Sequence, residues 1–219
     1  MKISGAVFDV DGTLLDSMPV WDCVGENYLR SIGYEPEENL NEVLQNMSLL
    51  QAARYYRREY GVVLSEDAIM KGVNAMLEKS YRCEIPLKPG VEGLLRRLHR
   101  AGVKLCIATA TDRYLVEAAL SRLGVLSCFS GMFTCSEVGH GKDEPYIFET
   151  ALAFLGTKKD ETVVFDDALY AVRTAKAAGF PAVAVYDSYE KEQKEIRALA
   201  DFYLKNLSQF YSYWKPDSV

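Results

Sequence analysis

The chain has no excess of positive charge, no cysteine pairs at ligand spacing and no long apolar run. Its 219 residues carry 25 lysines and arginines against 31 aspartates and glutamates, a formal charge of −6. That balance excludes a general nucleic-acid binder or a membrane-surface protein, since both need a basic footprint. The five cysteines, Cys23, Cys83, Cys106, Cys128 and Cys135, are odd in number and form neither a CxxC pair nor a zinc-ligand pattern. A reduced, cytoplasmic setting is the expectation. No apolar stretch approaches membrane-spanning length, and the first one meets Asp9 too early to form a signal-peptide core. What remains is a chain that suits one large domain or two of unequal size around a sizeable core.

That first apolar stretch carries the strongest local signal. Ile3 to Phe8 has strand length and ends in Asp9-Val10-Asp11-Gly12-Thr13. In extended backbone, residues i and i+2 share a face, so Asp9 and Asp11 project together. Two carboxylates held that close raise each other's pKa unless a cation neutralises them, so the pair predicts a divalent metal.

From about Asp16 to Leu87 strand-like runs disappear, and the pattern predicts successive helices over Val20 to Ile32, Leu40 to Tyr60 and Ser65 to Arg82. Lys88-Pro89-Gly90 marks a boundary, after which strand and helix patterns alternate. Val103 to Ala108 is a strand ending in Thr109, and Asp112 opens a helix running to Leu123. Gly131 to Thr134 is a short strand. After Lys142 a helix opens at Asp143, Glu144 and Pro145. Thr162 to Phe165 is a strand ending in Asp166-Asp167, a helix covers Leu169 to Ala178, and Ala182 to Tyr186 is a strand ending in Asp187. Such repetition predicts an α/β fold, a parallel sheet with helices on both faces, whose ligands bind beyond the carboxyl ends of the strands. Three strands deliver Asp9/Asp11, Thr109 and Asp166/Asp167 to that edge. The aromatic tail from Phe202 onward is expected to pack on the domain surface.

These residues suit a phosphate ester. Asp9 can attack phosphorus as a carboxylate nucleophile, and Asp11 can protonate the leaving alcohol and then activate water. A Mg²⁺ ion takes oxygen ligands, here Asp9, Asp166 and Asp167 with the backbone carbonyl of Asp11. Thr109 can donate its hydroxyl to a phosphoryl oxygen, and Lys142 supplies a positive charge against it. A calcium loop starting at Asp9 fails because Leu14 and Val20 stand where glycine and glutamate are required. A P-loop at Gly141-Lys142 fails because Ser136 replaces the earlier glycine and Asp143 the Ser/Thr.

The four motifs, Asp9-Val10-Asp11-Gly12-Thr13, Thr109, Lys142 and Asp166-Asp167, resemble in identity and order those of the haloacid dehalogenase superfamily. The similarity is to the subgroup that includes β-phosphoglucomutase and phosphoglycolate phosphatase. It implies a doubly wound Rossmann-like core over residues 1–15 and 88–219, with an all-helical cap inserted over 16–87. It further implies an aspartyl-phosphate intermediate, Mg²⁺, phosphate contacts from Thr109, Ala110 and Lys142, and a monomer acting on a small phosphorylated metabolite. A sugar phosphate, phosphoglycolate or a nucleotide-like compound would suit. Counting from the first motif, Trp21 falls where the mutase carries a cap histidine and Leu49 where it carries a phosphate-binding arginine, which favours hydrolysis over a phosphomutase. Dehalogenation needs neither Asp11 nor a metal. A phosphate-binding protein without turnover is the alternative from another class, and the intact set of acids argues against it.

Other residues read more plainly. His140 and His99 are expected to be solvated, and Cys106 to be a packing residue. Arg54, Arg57 and Arg58, interleaved with Tyr55, Tyr56 and Tyr60, have two readings: a solvated basic face, the commoner case, or a site for an anionic substrate.

Overall fold

Strand β1 (Gly5–Phe8) is the middle of a parallel sheet in the computed structural model, which describes residues 2–44 and 47–214. Four helices follow it: α1 (Met18–Ser31), α2 (Leu40–Leu44), α3 (Leu49–Glu59) and α4 (Glu66–Cys83). Then come α5 (Val91–Arg100), β2 (Lys104–Thr109), α6 (Arg113–Arg122), β3 (Gly131–Thr134), α7 (Cys135–Val138) and α8 (Tyr146–Leu155). The order closes with β4 (Thr162–Asp166), α9 (Leu169–Ala177), β5 (Ala182–Val185), α10 (Gln193–Leu199) and β6 (Phe202–Leu204).

The six strands lie in the order β3-β2-β1-β4-β5-β6, and every adjacent pair is parallel. The chain winds outward from β1 to β3 on one side and resumes at β4 on the other, the doubly wound arrangement that opens a crevice beyond the strand ends. Phe8 stands in register with Ile107 of β2 and Phe165 of β4. Period-two alternation sends Ala6, Phe8, Ile107 and Phe165 to one apolar cluster and Val7, Cys106, Ala108 and Val164 to the other. Both faces are covered by helices, so the strands read as unbroken apolar runs. Phe8 stacks on Phe165 with ring centroids 4.3 Å apart, and burying each ring contributes about 1.5–3 kcal/mol.

The two linkers of the helical insert run side by side. Asp16 N–H donates to the Pro86 carbonyl at 3.0 Å, and Lys88 N–H donates to that of Leu14 at 2.9 Å. The Lys88 ammonium donates to the carbonyls of Gly12 (2.5 Å) and Tyr186 (2.7 Å) and to Asp187 Oδ2 (2.7 Å), tying the linker to the end of β5.

Three expectations need correction. The segment Leu40 to Tyr60 is two helices, because Ser48 starts α3 with a capping box. Its hydroxyl accepts from Gln51 N–H, and the Gln51 side chain accepts from Ser48 N–H at 2.7 Å. The aromatic tail is structural: β6 adds a sixth strand, and the 3₁₀ turn Leu207–Ser212 buries Phe210 edge-on against Phe165, with centroids 5.0 Å apart. Trp214 is buried beside Phe210, while Tyr213 stays exposed. Asp112 occupies the N-cap position of α6 but makes no cap bond; its carboxylate accepts from Asn74 of α4 (2.5 Å) and from Ser136 (3.0 Å). Among the described residues no helix is long and apolar enough to cross a membrane.

Candidate active site

Asp9 is still on the sheet ladder, its N–H donating to the Phe165 carbonyl at 2.9 Å, while its side chain leaves the strand end. The chain then turns sharply, with Leu14 and Leu15 N–H both donating to the Val10 carbonyl at 2.8 Å. The turn passes so close to β4 that a Cβ at position 12 would lie 2.2 Å from Asp167 Oδ2, and Gly12 has φ +75°. Both facts require glycine there. Thr13 continues the contact, donating its hydroxyl to Asp167 Oδ1 at 3.0 Å.

Asp166, the last residue of β4, accepts from Ala168 N–H (3.1 Å) on one oxygen and from the Lys142 ammonium (2.8 Å) on the other. Lys142, in the loop between α7 and α8, also donates to Asp9 Oδ1 and is buried between the two acids. Oxygens of Asp9, Asp166 and Asp167 lie within 4.8 Å of one another, all from buried residues. Burial pushes the Asp9 carboxyl up to about 7; Lys142 opposes that rise, while Asp166 and Asp11 add to it. Asp167 is held well above the carboxylate range by burial and by Asp9 and Asp166. Burial works against the Lys142 charge, but Asp166 and Asp9 outweigh it and hold the ammonium well above its ordinary value. Three hard carboxylates, two of them sharing one ammonium, leave negative charge uncompensated, and that donor set fits a divalent cation of the magnesium or calcium type.

Asp11 is held differently. Its carboxylate accepts from Ser17 Oγ (2.6 Å) and Tyr81 OH on one oxygen and from Thr111 Oγ1 (2.6 Å) on the other. The Tyr81 hydroxyl in turn accepts from the Trp21 indole N–H at 2.7 Å. Ser17 precedes α1, Trp21 lies on α1 and Tyr81 on α4, so the helical insert reaches the second carboxylate directly. Thr109, at the end of β2, is buried and accepts from Thr111 N–H at 3.1 Å, which leaves its own hydroxyl proton free to donate.

Asp9, Asp11, Thr109, Ala110, Lys142, Asp166 and Asp167 all line one cavity of about 340 Å³, roofed by residues of α1, α2, α3 and α4. Trp21 and Leu49 line it too. The remaining candidates lie elsewhere. His140 is exposed beside Glu144 (2.8 Å), and His99 is exposed on α5. Cys106 is buried in the sheet, where burial pushes its thiol up to about 12. Arg54 and Arg57 pair with Glu66, and Arg58 with Glu59, on a solvated face, although Tyr56 between them turns into the cavity wall.

Sequence reasoning missed Ser17, Thr111, Tyr81 and the Lys88–Asp187 pair. Thr111 stands two residues beyond Thr109, the same interval as between Asp9 and Asp11, and Asp187 ends a strand as Asp166 does. Nothing local distinguishes Tyr81 from other aromatic residues on an amphipathic helix.

A family model described as haloacid dehalogenase-like hydrolase matches residues 3–179. A Drosophila melanogaster protein named "probable pseudouridine-5'-phosphatase" is 30% identical over 213 residues, 92% of either chain. Hexitol phosphatase A of Escherichia coli (strain K12) is 28% identical over 187 residues, 84% of either chain. Among solved structures, CbbY from Rhodobacter sphaeroides in complex with phosphate has the same fold, with TM-score 0.84 and 24% identity over 95% of this chain and 96% of that one.

Proposed function

The chain belongs to the haloacid dehalogenase-like hydrolases, and from that we propose that it is a Mg²⁺-dependent phosphatase of a small phosphomonoester, working through an aspartyl-phosphate. The observation that carries this reading is the convergence of Asp9, Asp11, Thr109, Lys142, Asp166 and Asp167 on one cavity.

The substrate phosphate sits against Thr109, Ala110 and Lys142, with phosphorus facing Asp9. An oxygen of the Asp9 carboxylate attacks phosphorus as the ester P–O bond breaks, and the departing alcohol takes a proton from Asp11. Asp11 then accepts a proton from the water that attacks the aspartyl-phosphate, returning Asp9 and releasing phosphate. Its three hydroxyl donors fix the carboxyl for both transfers. Lys142 favours the ionised form of Asp9 against the burial that raises its carboxyl, and offsets charge on the phosphoryl oxygens. Asp9, Asp166, Asp167 and the main-chain carbonyl of Asp11 would hold Mg²⁺, which would supply the positive charge that lets two anions meet. The helical insert excludes bulk water while these steps proceed.

Phosphate release from an aryl phosphate is expected to require Mg²⁺ and to fall on the order of 10³-fold or more in Asp9→Asn, because the nucleophile is gone. Equal rates for the two proteins would sink the mechanism.

A further inference from the structure

Among the described residues, the half of the cavity remote from Asp9 carries no unpaired cation. Among the described lining residues there is no arginine, and the two lysines are both engaged. Lys142 lies between Asp9 and Asp166, and Lys191, at the rim, donates to Glu42 of α2 at 2.7 Å. Asp22 and Glu42 add negative charge on the same side. A second phosphate or a carboxylate on the substrate would leave water to meet acids and apolar wall, which is unfavourable on both counts. The wall itself is formed by Trp21, Leu44, Leu49, Tyr56 and Val73.

Trp21 is the flat element of that wall, and it is fixed. Its indole N–H is tied to Tyr81 OH, and Tyr81 is tied to Asp11. A cavity-lining ring locked at one edge has little entropy left to lose on contact. At about 340 Å³ the cavity also holds far more than a two-carbon ester.

We propose that Trp21 is a specificity residue that stacks on the leaving alcohol, and that the substrate is a monophosphate whose alcohol part is uncharged and carries a planar ring, as a nucleoside does. This rests on the phosphatase reading for the position of the phosphate, and narrows it. Phosphoglycolate and sugar bisphosphates are excluded by charge, and open-chain polyol phosphates are disfavoured for want of a ring.

Binding decides the matter without turnover. Calorimetric titration of Asp9→Asn, with Mg²⁺ present, is expected to give uridine 5'-monophosphate a Kd about tenfold or more below those of phosphoglycolate, fructose 1,6-bisphosphate and sorbitol 6-phosphate, the size of one stacking contact. Adding Trp21→Leu is expected to erase that preference while inorganic phosphate binds as before; adding Lys191→Met is expected to leave the order unchanged. The proposal is overturned if either doubly charged probe or the hexitol phosphate binds as tightly as the nucleotide. It is also overturned if the preference survives Trp21→Leu, if Lys191→Met selectively weakens a charged probe, or if no probe binds. Should Trp21→Leu fail to fold, the order of affinities in Asp9→Asn stands as the test. Absence of hydrolysis in the native chain with this order intact would overturn the phosphatase reading alone.

Discussion

Asp9 and Asp166 share one ammonium with Asp167 close beside them, and this sets a pH dependence at the scale of single residues. Burial raises Asp9 from its ordinary 3.8 to about 7. Between those values the unfolded chain has released the proton that the folded chain keeps, so the metal-free protein loses stability as pH rises from about 4 to about 7. Asp167 is raised as well and acts in the same direction. Lys142, held above its ordinary 10.5, stays charged throughout that window and adds no slope there. A divalent cation takes the place of the protons. Saturating MgCl₂ is therefore expected to raise Tm at pH 8 by on the order of several °C, and by clearly less at pH 5. Equal shifts in calorimetric scans at the two pH values would contradict this account. The acids themselves were legible because each follows an apolar strand or shares its face. The hydroxyls around Asp11 were not, because Ser17, Tyr81 and Thr111 meet only once the insert has docked on the sheet.

At the scale of elements, α3 shows how a short polar signal outweighs a long apolar one. The periodicity from Leu40 to Tyr60 suggested one helix, yet the reciprocal bonds of Ser48 and Gln51 start a new one and aim Leu49, Ala52 and Tyr56 at the cavity. Removing the cap with Ser48→Ala is expected to cost about 1 kcal/mol, or roughly 2–4 °C in Tm. KM should rise more than kcat falls, since α3 touches the cavity wall and none of the carboxylates. A fall in kcat at unchanged KM would show that α3 acts on the chemistry instead. The core strands were readable from their apolar runs, whereas β6 has three residues and no period to detect. Its partner Phe210 looked like a surface aromatic only because the ring it meets, Phe165, lies far away in sequence.

At the scale of the whole molecule, the sheet and its insert are joined by bonds that alternation of strand and helix does not announce. Asn74 to Asp112, Arg122 to the carbonyls of Tyr81 (3.2 Å) and Ile85 (2.5 Å), Glu42 to Lys191, and Tyr81 to Asp11 hold the insert down over the cavity. The Lys88 ammonium anchors the linker, with side chains 11% and 4% exposed in its pair with Asp187. Lys88→Met leaves that acid buried without its cation, and a loss of about 3 kcal/mol is expected from denaturant unfolding. A loss below about 1 kcal/mol would mean that Asp187 rehydrates and the anchor is dispensable. The position of β1 has a bearing on how the protein is made. The strand that leads into Asp9 leaves the ribosome before both of its neighbours, β2 and β4. The nascent chain therefore carries the proposed nucleophile without Asp166 and Asp167 until β4 has been synthesised, and the acid cluster is completed only with the closing of the sheet.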